Sequence, residues 1–375
     1  MSEKFEETID PEKGIVHKTI PETLVAGFSF RSGYEELRKL IPANLEKLGT
    51  LIRESICGPA MVLLDYGVYS DAAHVEAAYP VTSAVEKEGI RIRTLGPAEV
   101  LSVTHHGSHE DLSESYKKLY GFMREHGEPG TSYGREIYTR VSHASPEENV
   151  TELQAVIHGW QGRFIENAQR VLGEKAAQAV SEGHESLFTL RSSKDEKMTW
   201  IKNAMEKLDT VANTGQKFNI LSCCAHEFSD MRIAQLRDIY EKTGSVDEVL
   251  EFIRNDYDWY EAPRREGDAI YVTKIPYNRK AYEEAKTRDE KRKSYCHCSL
   301  VRDYLDSGIS HTFCYCGTGW YRQIWEGVLG RPVTIEILKS LVKGDDTCDF
   351  AIHIPRDSIE RRVNENGTNK DFSSL

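Results

Sequence analysis

The sequence predicts an α+β protein: a duplicated, pseudo-symmetric antiparallel sheet with its helices on one face, then a mostly helical, cysteine-rich α+β domain. Three observations carry that expectation. A strand–helix–strand–strand pattern occurs twice in the first 158 residues, at an offset of 75. The apolar period turns helical at Gly159. Seven of the eight cysteines lie between residues 223 and 348, and the last opens a strand of a terminal hairpin pattern.

In the first copy, Thr23 to Phe30 reads as a strand, and Ser32 to Glu35 has the spacing of a capping box. Tyr34, Leu37, Ile41, Leu45, Leu48 and Ile52 follow at steps of three or four, which places them on one helical face. Pro42 inside that run predicts a kink or break. Cys57-Gly58-Pro59 ends the helix, and Met61 to Tyr66 and Val75 to Val81 supply two strands. In the second copy, Val100 to Thr104 is the strand, Ser108 to Asp111 the cap, and Leu112, Tyr116, Leu119 and Met123 the helical stripe. Arg135 to Val141 and Val150 to Ile157 close the unit. Two such copies pair into one sheet with a cleft between the halves.

Glu152 interrupts the apolar alternation of the last strand, and a carboxylate beside a core face is costly unless it meets a donor, a cation or a ligand. Glu76 holds the matching position in the first copy. His105 and His106 adjoin on a strand and therefore point to opposite sides, so at most one enters the cleft, and surface positions are the preferred reading.

The segments Val100 to Leu112, Arg135 to Tyr138 and Val150 to Ile157 resemble the GyrI-like small-molecule-binding domain, also the effector domain of AraC-type and multidrug-sensing regulators. The resemblance covers about residues 15–158. It implies two strand–helix–strand–strand repeats around an apolar, aromatic pocket. A glutamate matching Glu152 would face cationic or hydrophobic ligands, with Tyr138 and Tyr66 on the walls and Glu76 as the second acidic candidate. Some members of that family hydrolyse electrophilic small molecules and others only sequester them. Capture is the preferred reading. The alternative is a hydrolase, in which a desolvated Glu152 serves as general base and Tyr138 orients or protonates the departing oxygen.

Beyond Gly159, Trp160, Phe164, Ala168, Val171 and Leu172 form one helical stripe, and Trp200, Ile201, Ala204, Leu208 and Val211 another. The cysteines group as Cys223 and Cys224 with His226, Cys296 with Cys298 around His297, and Cys314 with Cys316. Thiolate and imidazole are the ligands zinc prefers, but the groups stand far apart in sequence. A zinc site, inert buried thiols and thiol chemistry at Cys314 or Cys316 all remain open. Trp320 to Gly330 predicts an amphipathic helix closed by glycine, and Val333 to Ile354 a hairpin. The segment 314–355 resembles the small-molecule-binding domain named after bacteriochlorophyll vinyl reductases. That family's second cysteine, four residues before the turn glycine, is Ser340 here.

The expected boundaries are a ligand-binding domain over 1–158 (repeats about 20–82 and 95–158), a helical connector over 159–215, a cysteine-rich domain over 216–356 and a disordered tail over 357–375. A net charge of -12 argues against a nucleic-acid surface, which carries a basic stripe. With no apolar leader and no run long enough for a membrane span, the expectation is a cytoplasmic protein with a small-molecule partner. Its oligomeric state is left open.

Overall fold

A computed structural model describes residues 5–66, 72–85, 87–142, 144–225, 228, 230–256 and 261–358. The chain divides into two compact units. The first comprises residues up to Val211 together with Cys298–Tyr304, and the second holds the remainder.

The first unit is built on a nine-stranded antiparallel sheet. Its strands are β1 (Glu6–Asp10), β2 (Ile15–Ile20), β3 (Thr23–Gly33), β4 (Ala60–Tyr66), β5 (Ala72–Pro80), β6 (Arg91–Leu95), β7 (Ala98–His106), β8 (Gly130–Arg140) and β9 (Val150–Ile157). Their order is β1-β2-β7-β9-β8-β4-β5-β3-β6. The two repeats meet where β4 pairs with β8. Val62 stands opposite Glu136, flanked by Met61 opposite Ile137 and Leu63 opposite Arg135, so a pseudo-two-fold axis passes through the Val62–Glu136 pair. Strands β2 and β6 fall outside the repeat as read from sequence, and they extend it. Each leads into the first strand of its own repeat yet pairs with that of the other: β2 with β7, and β6 with β3.

Helices α1 (Tyr34–Leu51) and α2 (Leu112–Glu125) cover one face. Leu37 and Leu45 of α1 pack on Val62, Leu64, Val75 and Ala77, while Leu119, Phe122 and Met123 of α2 pack on Leu101, Val103 and Leu153. Helix α1 runs unbroken past Pro42. Helices α3 (Trp160–Leu172), α4 (Glu174–Ser181), α5 (His184–Leu187) and α6 (Lys194–Val211) belong to the same compact unit as the sheet, so the expected connector packs with it. Trp160, Phe164, Phe188 and Trp200 form a mutual ring cluster with centroids 5.2–6.2 Å apart. Lys197 of α6 is fully buried and bonds Glu128, just before β8, at 2.9 Å. A buried charge is tolerated only when so paired, so this contact fixes α6 to the sheet.

The second unit contains α7 (Thr214–Leu221), α8 (Asp230–Thr243), α9 (Val246–Asn255), β10 (Arg264–Glu266), β11 (Ala269–Thr273), α10 (Arg279–Glu284), α11 (Arg288–Tyr295), α12 (Tyr315–Leu329), β12 (Thr334–Lys339) and β13 (Asp349–His353). The expected hairpin is β12 with β13. Strands β10 and β11, which the sequence reading did not include, complete a sheet ordered β10-β11-β13-β12. Residues of α8, α9 and α12 join that sheet in one core, including Leu236, Leu250, Ile324, Trp325, Phe350 and Ile352. At Gly319 a Cβ would stand 1.8 Å from the Ser222 carbonyl oxygen, so only glycine lets α12 lie this close to the segment after α7. Residues 359–375, most of the expected tail, lie outside the described residues, as does His226.

Candidate ligand cleft

Side-chain alternation decides what lies on the sheet face covered by α1 and α2, the candidate cleft. On β8, Glu136 and Tyr138 point to the helix-covered face, and both are buried, Glu136 at 7% exposure. Glu136 Oε2 accepts from the Tyr138 hydroxyl at 2.5 Å, and Oε1 accepts from the Tyr116 hydroxyl of α2 at 2.7 Å. The Tyr116 and Tyr120 rings stack at 5.9 Å, one helical turn apart. Tyr120 is 36% exposed as a whole, yet desolvation of its phenol pushes it up to about 12, and the negative charge of Glu136 adds to the shift. The His109 ring lies 5.1 Å from that of Tyr138. Val62, Leu64, Phe30 and Ile41 supply the apolar part of the same face. The result is a carboxylate on the pseudo-two-fold axis, among phenols and aliphatic side chains.

Glu152 is elsewhere. It stands opposite Ile137 on β8 and Thr104 on β7, whereas Tyr138 stands opposite Thr151. Neighbours along a strand face opposite sides, so Glu152 and Tyr138 project from opposite faces of the sheet. The expected catalytic pair is therefore not brought together, and Glu152 does not enter the helix-side cleft. Its Oε1 lies 3.2 Å from Lys18 Nζ on β2 and accepts from the Gln154 amide, also at 3.2 Å. Glu76 shares that far face, opposite Leu63 and Ser29, and accepts from Arg93 of β6 through Nε at 2.9 Å and Nη2 at 2.5 Å. The Tyr66 side chain lies outside the described residues. His105, expected at the surface, is buried: Nε2 donates to the Ser108 carbonyl and Nδ1 accepts from the Ser115 hydroxyl, each at 3.0 Å. It fastens β7 to α2.

Residues 17–157 match the family model described as the GyrI-like small molecule binding domain. This part of the chain is a GyrI-like domain. Among solved structures, the C-terminal domain of EcmrR is 21% identical over 38% of this chain and 96% of that one, with a TM-score of 0.34. The chain spans about half, 56%, of EcmrR in its DNA complex. SAV2435 bound to tetraphenylphosphonium is 9% identical over 39% of this chain and 94% of that one, with a TM-score of 0.33. A hydrolase from Listeria innocua is 10% identical over 39% and 92%, with a TM-score of 0.28. Comparison with curated proteins gives no match. Residues 288–360, which contain the whole segment resembling the vinyl-reductase domain, match a family of unknown function (DUF6144).

Sequence reading of the GyrI-like domain did not single out Glu136, Tyr116 and Tyr120, which the fold brings together. The signal was present in the repeat. At Ile41, Leu45, Val62 and Leu64 the first copy is apolar, where the second has Tyr116, Tyr120, Glu136 and Tyr138.

Cys316 Sγ donates to the Cys224 carbonyl at 3.2 Å, Cys224 Sγ to the Ile220 carbonyl at 3.4 Å, and Arg322 reaches Cys223 Sγ at 3.7 Å. Cys314 packs at the edge of the second unit's core. Cys296 is buried in the second unit, while Cys298 belongs to the first. Among the described residues, no three His, Cys, Asp or Glu side chains stand where they could hold a metal ion. Also among the described residues, no helix is long and apolar enough to cross a membrane.

Proposed function

We propose that the GyrI-like domain captures bulky apolar cations in the cleft between α1 and α2, with Glu136 as their counter-charge. One observation carries the reading. Glu136 is buried and held by two phenol hydroxyls, yet among the described residues it forms no ion pair with a lysine, arginine or histidine. Taking a carboxylate out of water without a counter-ion is costly, and an entering cation offsets that penalty. The surrounding aromatic rings favour the same charge through their negative faces. An apolar body would rest on the partly exposed Phe30 and Ile41, which pack over Val62 and Leu64. Hydrolysis by Glu152 with Tyr138 gains no support, because the two cannot reach one bond from opposite faces.

The test is calorimetric titration of the full chain with tetraphenylphosphonium and with tetraphenylborate, which has the same shape and the opposite charge. The phosphonium should bind at least about tenfold more tightly, and Glu136→Gln should remove most of that preference, a loss of about 1.4 kcal/mol or more. Equal affinity of the wild type for both ions would defeat the reading. So would a preference that survives in the variant.

A further inference from the structure

The second unit holds a cluster of ionisable side chains that the cleft does not use. The backbone of Lys274, just past β11, is clamped on both sides. Its N–H donates to the Cys348 carbonyl at 3.0 Å, and its carbonyl accepts from the hydroxyl of buried Tyr295. The side chain leaves this clamp across α12, with Nζ 5.7 Å from the Trp320 ring centroid and 5.2 Å from that of Tyr321. The Tyr321 hydroxyl lies 3.0 Å from each carboxyl oxygen of Glu261. Lys274 and Glu261 influence each other through space without forming a direct ion pair.

Each group is in an unusual state. An ammonium has three N–H donors, and among the described residues that of Lys274 has no hydrogen-bond acceptor or ion-pair partner, only two ring faces. Burial pushes the Glu261 carboxyl up, with the Lys274 charge and the Tyr321 hydroxyl opposing. An acid held toward its neutral form does not compete for the ammonium, and it can donate a hydrogen bond of its own. Burial likewise pushes the Cys348 thiol up, which keeps it from acting as a thiolate. The group is therefore suited to recognition: one unmatched cation, one acid held toward its neutral form and an aromatic wall, set on a strand end and a helix.

We infer that Lys274, Glu261, Trp320 and Tyr321 form a second ligand site, for a small carboxylate with an aromatic or apolar body. The carboxylate takes the N–H donors of Lys274, and the body lies against the indole of Trp320, with Tyr321, 2% exposed, behind it in the core. Glu261 stays bonded to Tyr321 and fixes that ring. This site selects the opposite charge from the Glu136 cleft and does not depend on it.

The experiment is calorimetric titration of the full chain with indole-3-acetate and with its uncharged amide. The acid should bind at least about tenfold more tightly than the amide. Lys274→Met should abolish that preference and Lys274→Arg should restore part of it, with unchanged thermal midpoints showing that both variants fold. Glu136→Gln should leave indole-3-acetate binding unchanged, just as Lys274→Met should leave tetraphenylphosphonium binding unchanged. This separates failure of one site from failure of the other. Equal binding of acid and amide, no binding of either at millimolar concentration, or a preference that survives in a folded Lys274→Met protein would each overturn the assignment.

Discussion

The two faces of the duplicated sheet treat the duplication differently. On the far face the repeats keep the same device: Lys18 of β2 pairs with Glu152 of β9, and Arg93 of β6 pairs with Glu76 of β5. Lys18 and Arg93 are equivalent under the 75-residue offset, and the two glutamates face equivalent neighbours on their flanking strands. Each pair ties an exchanged lead strand to the sheet. On the helix-covered face the symmetry is broken. The second repeat presents Tyr116, Tyr120, Glu136 and Tyr138, where the first presents Ile41, Leu45, Val62 and Leu64. A symmetric carboxylate with a symmetric partner is accounted for by holding strands together. A carboxylate on the axis with no counterpart is not, and there a ligand is the better explanation.

Making the broken face symmetric tests the comparison most severely. Glu136→Val installs the residue at the matching position of the first repeat. It should weaken tetraphenylphosphonium binding by about a hundredfold, close to 2.7 kcal/mol, because both the charge and its hydrogen-bonded setting are lost. It also strands the Tyr116 and Tyr138 hydroxyls, at about 1–3 kcal/mol of stability each if they stay buried. Adding Tyr116→Ile and Tyr138→Leu removes those hydroxyls, so the triple variant should unfold at higher denaturant than the single one. If the triple variant binds the phosphonium as wild type does, the asymmetry has no part in binding.

Breaking the symmetric face should cost stability and leave ligand affinity alone. Glu76 is 1% exposed and takes two hydrogen bonds from Arg93, whose side chain is 32% exposed. Removing a buried partner from a tight pair costs about 3–5 kcal/mol, and the exposure of Arg93 reduces this for Glu76→Ala to about 2 kcal/mol. Glu152 and Lys18 make a single 3.2 Å contact at 18% and 21% exposure, so Glu152→Ala should cost about 1 kcal/mol or less. Chemical denaturation ranks the two variants, and calorimetry checks that each keeps wild-type phosphonium affinity. A tenfold loss of affinity in Glu152→Ala would move the site to the far face.

Much of the first unit was legible in the sequence because its strands alternate and its helices carry one apolar stripe. The expected strands within both repeats form, including β9 over Val150–Ile157. The lead strands were missed because Ile15–Ile20 and Arg91–Leu95 are short and mix charge with apolar residues, and their pairing with the opposite repeat is not a local property. The preference for Glu152 over Glu136 has a related origin. Glu152 and Glu136 both interrupt alternating strands, and the chain does not mark which face of a sheet a helix will cover. Register answers that: Glu136 lies among residues packed on α1 and α2, and Glu152 does not. The thiols stayed ambiguous because convergence of distant groups is a tertiary fact.

The smallest expected effect concerns Tyr120, whose counterpart in the first repeat is the titration-silent Leu45. Burial, and secondarily the charge of Glu136, pushes the Tyr120 phenol up to about 12. The fold therefore favours the neutral phenol, while the unfolded chain releases its proton near the ordinary tyrosine value of about 10. Between those values the unfolded state binds fewer protons, so stability falls as pH rises. Tyr120→Phe should have nearly wild-type stability at neutral pH and lose less than wild type above pH ~10. Difference titration of phenolate absorbance between the two proteins isolates this hydroxyl from the other raised tyrosines. Glu136→Gln should lower the Tyr120 titration only partly, because burial is the larger cause. If instead Tyr120 titrates at the ordinary value and ignores Glu136→Gln, its hydroxyl faces solvent, and the polar half of the cleft reduces to Tyr116, Glu136 and Tyr138.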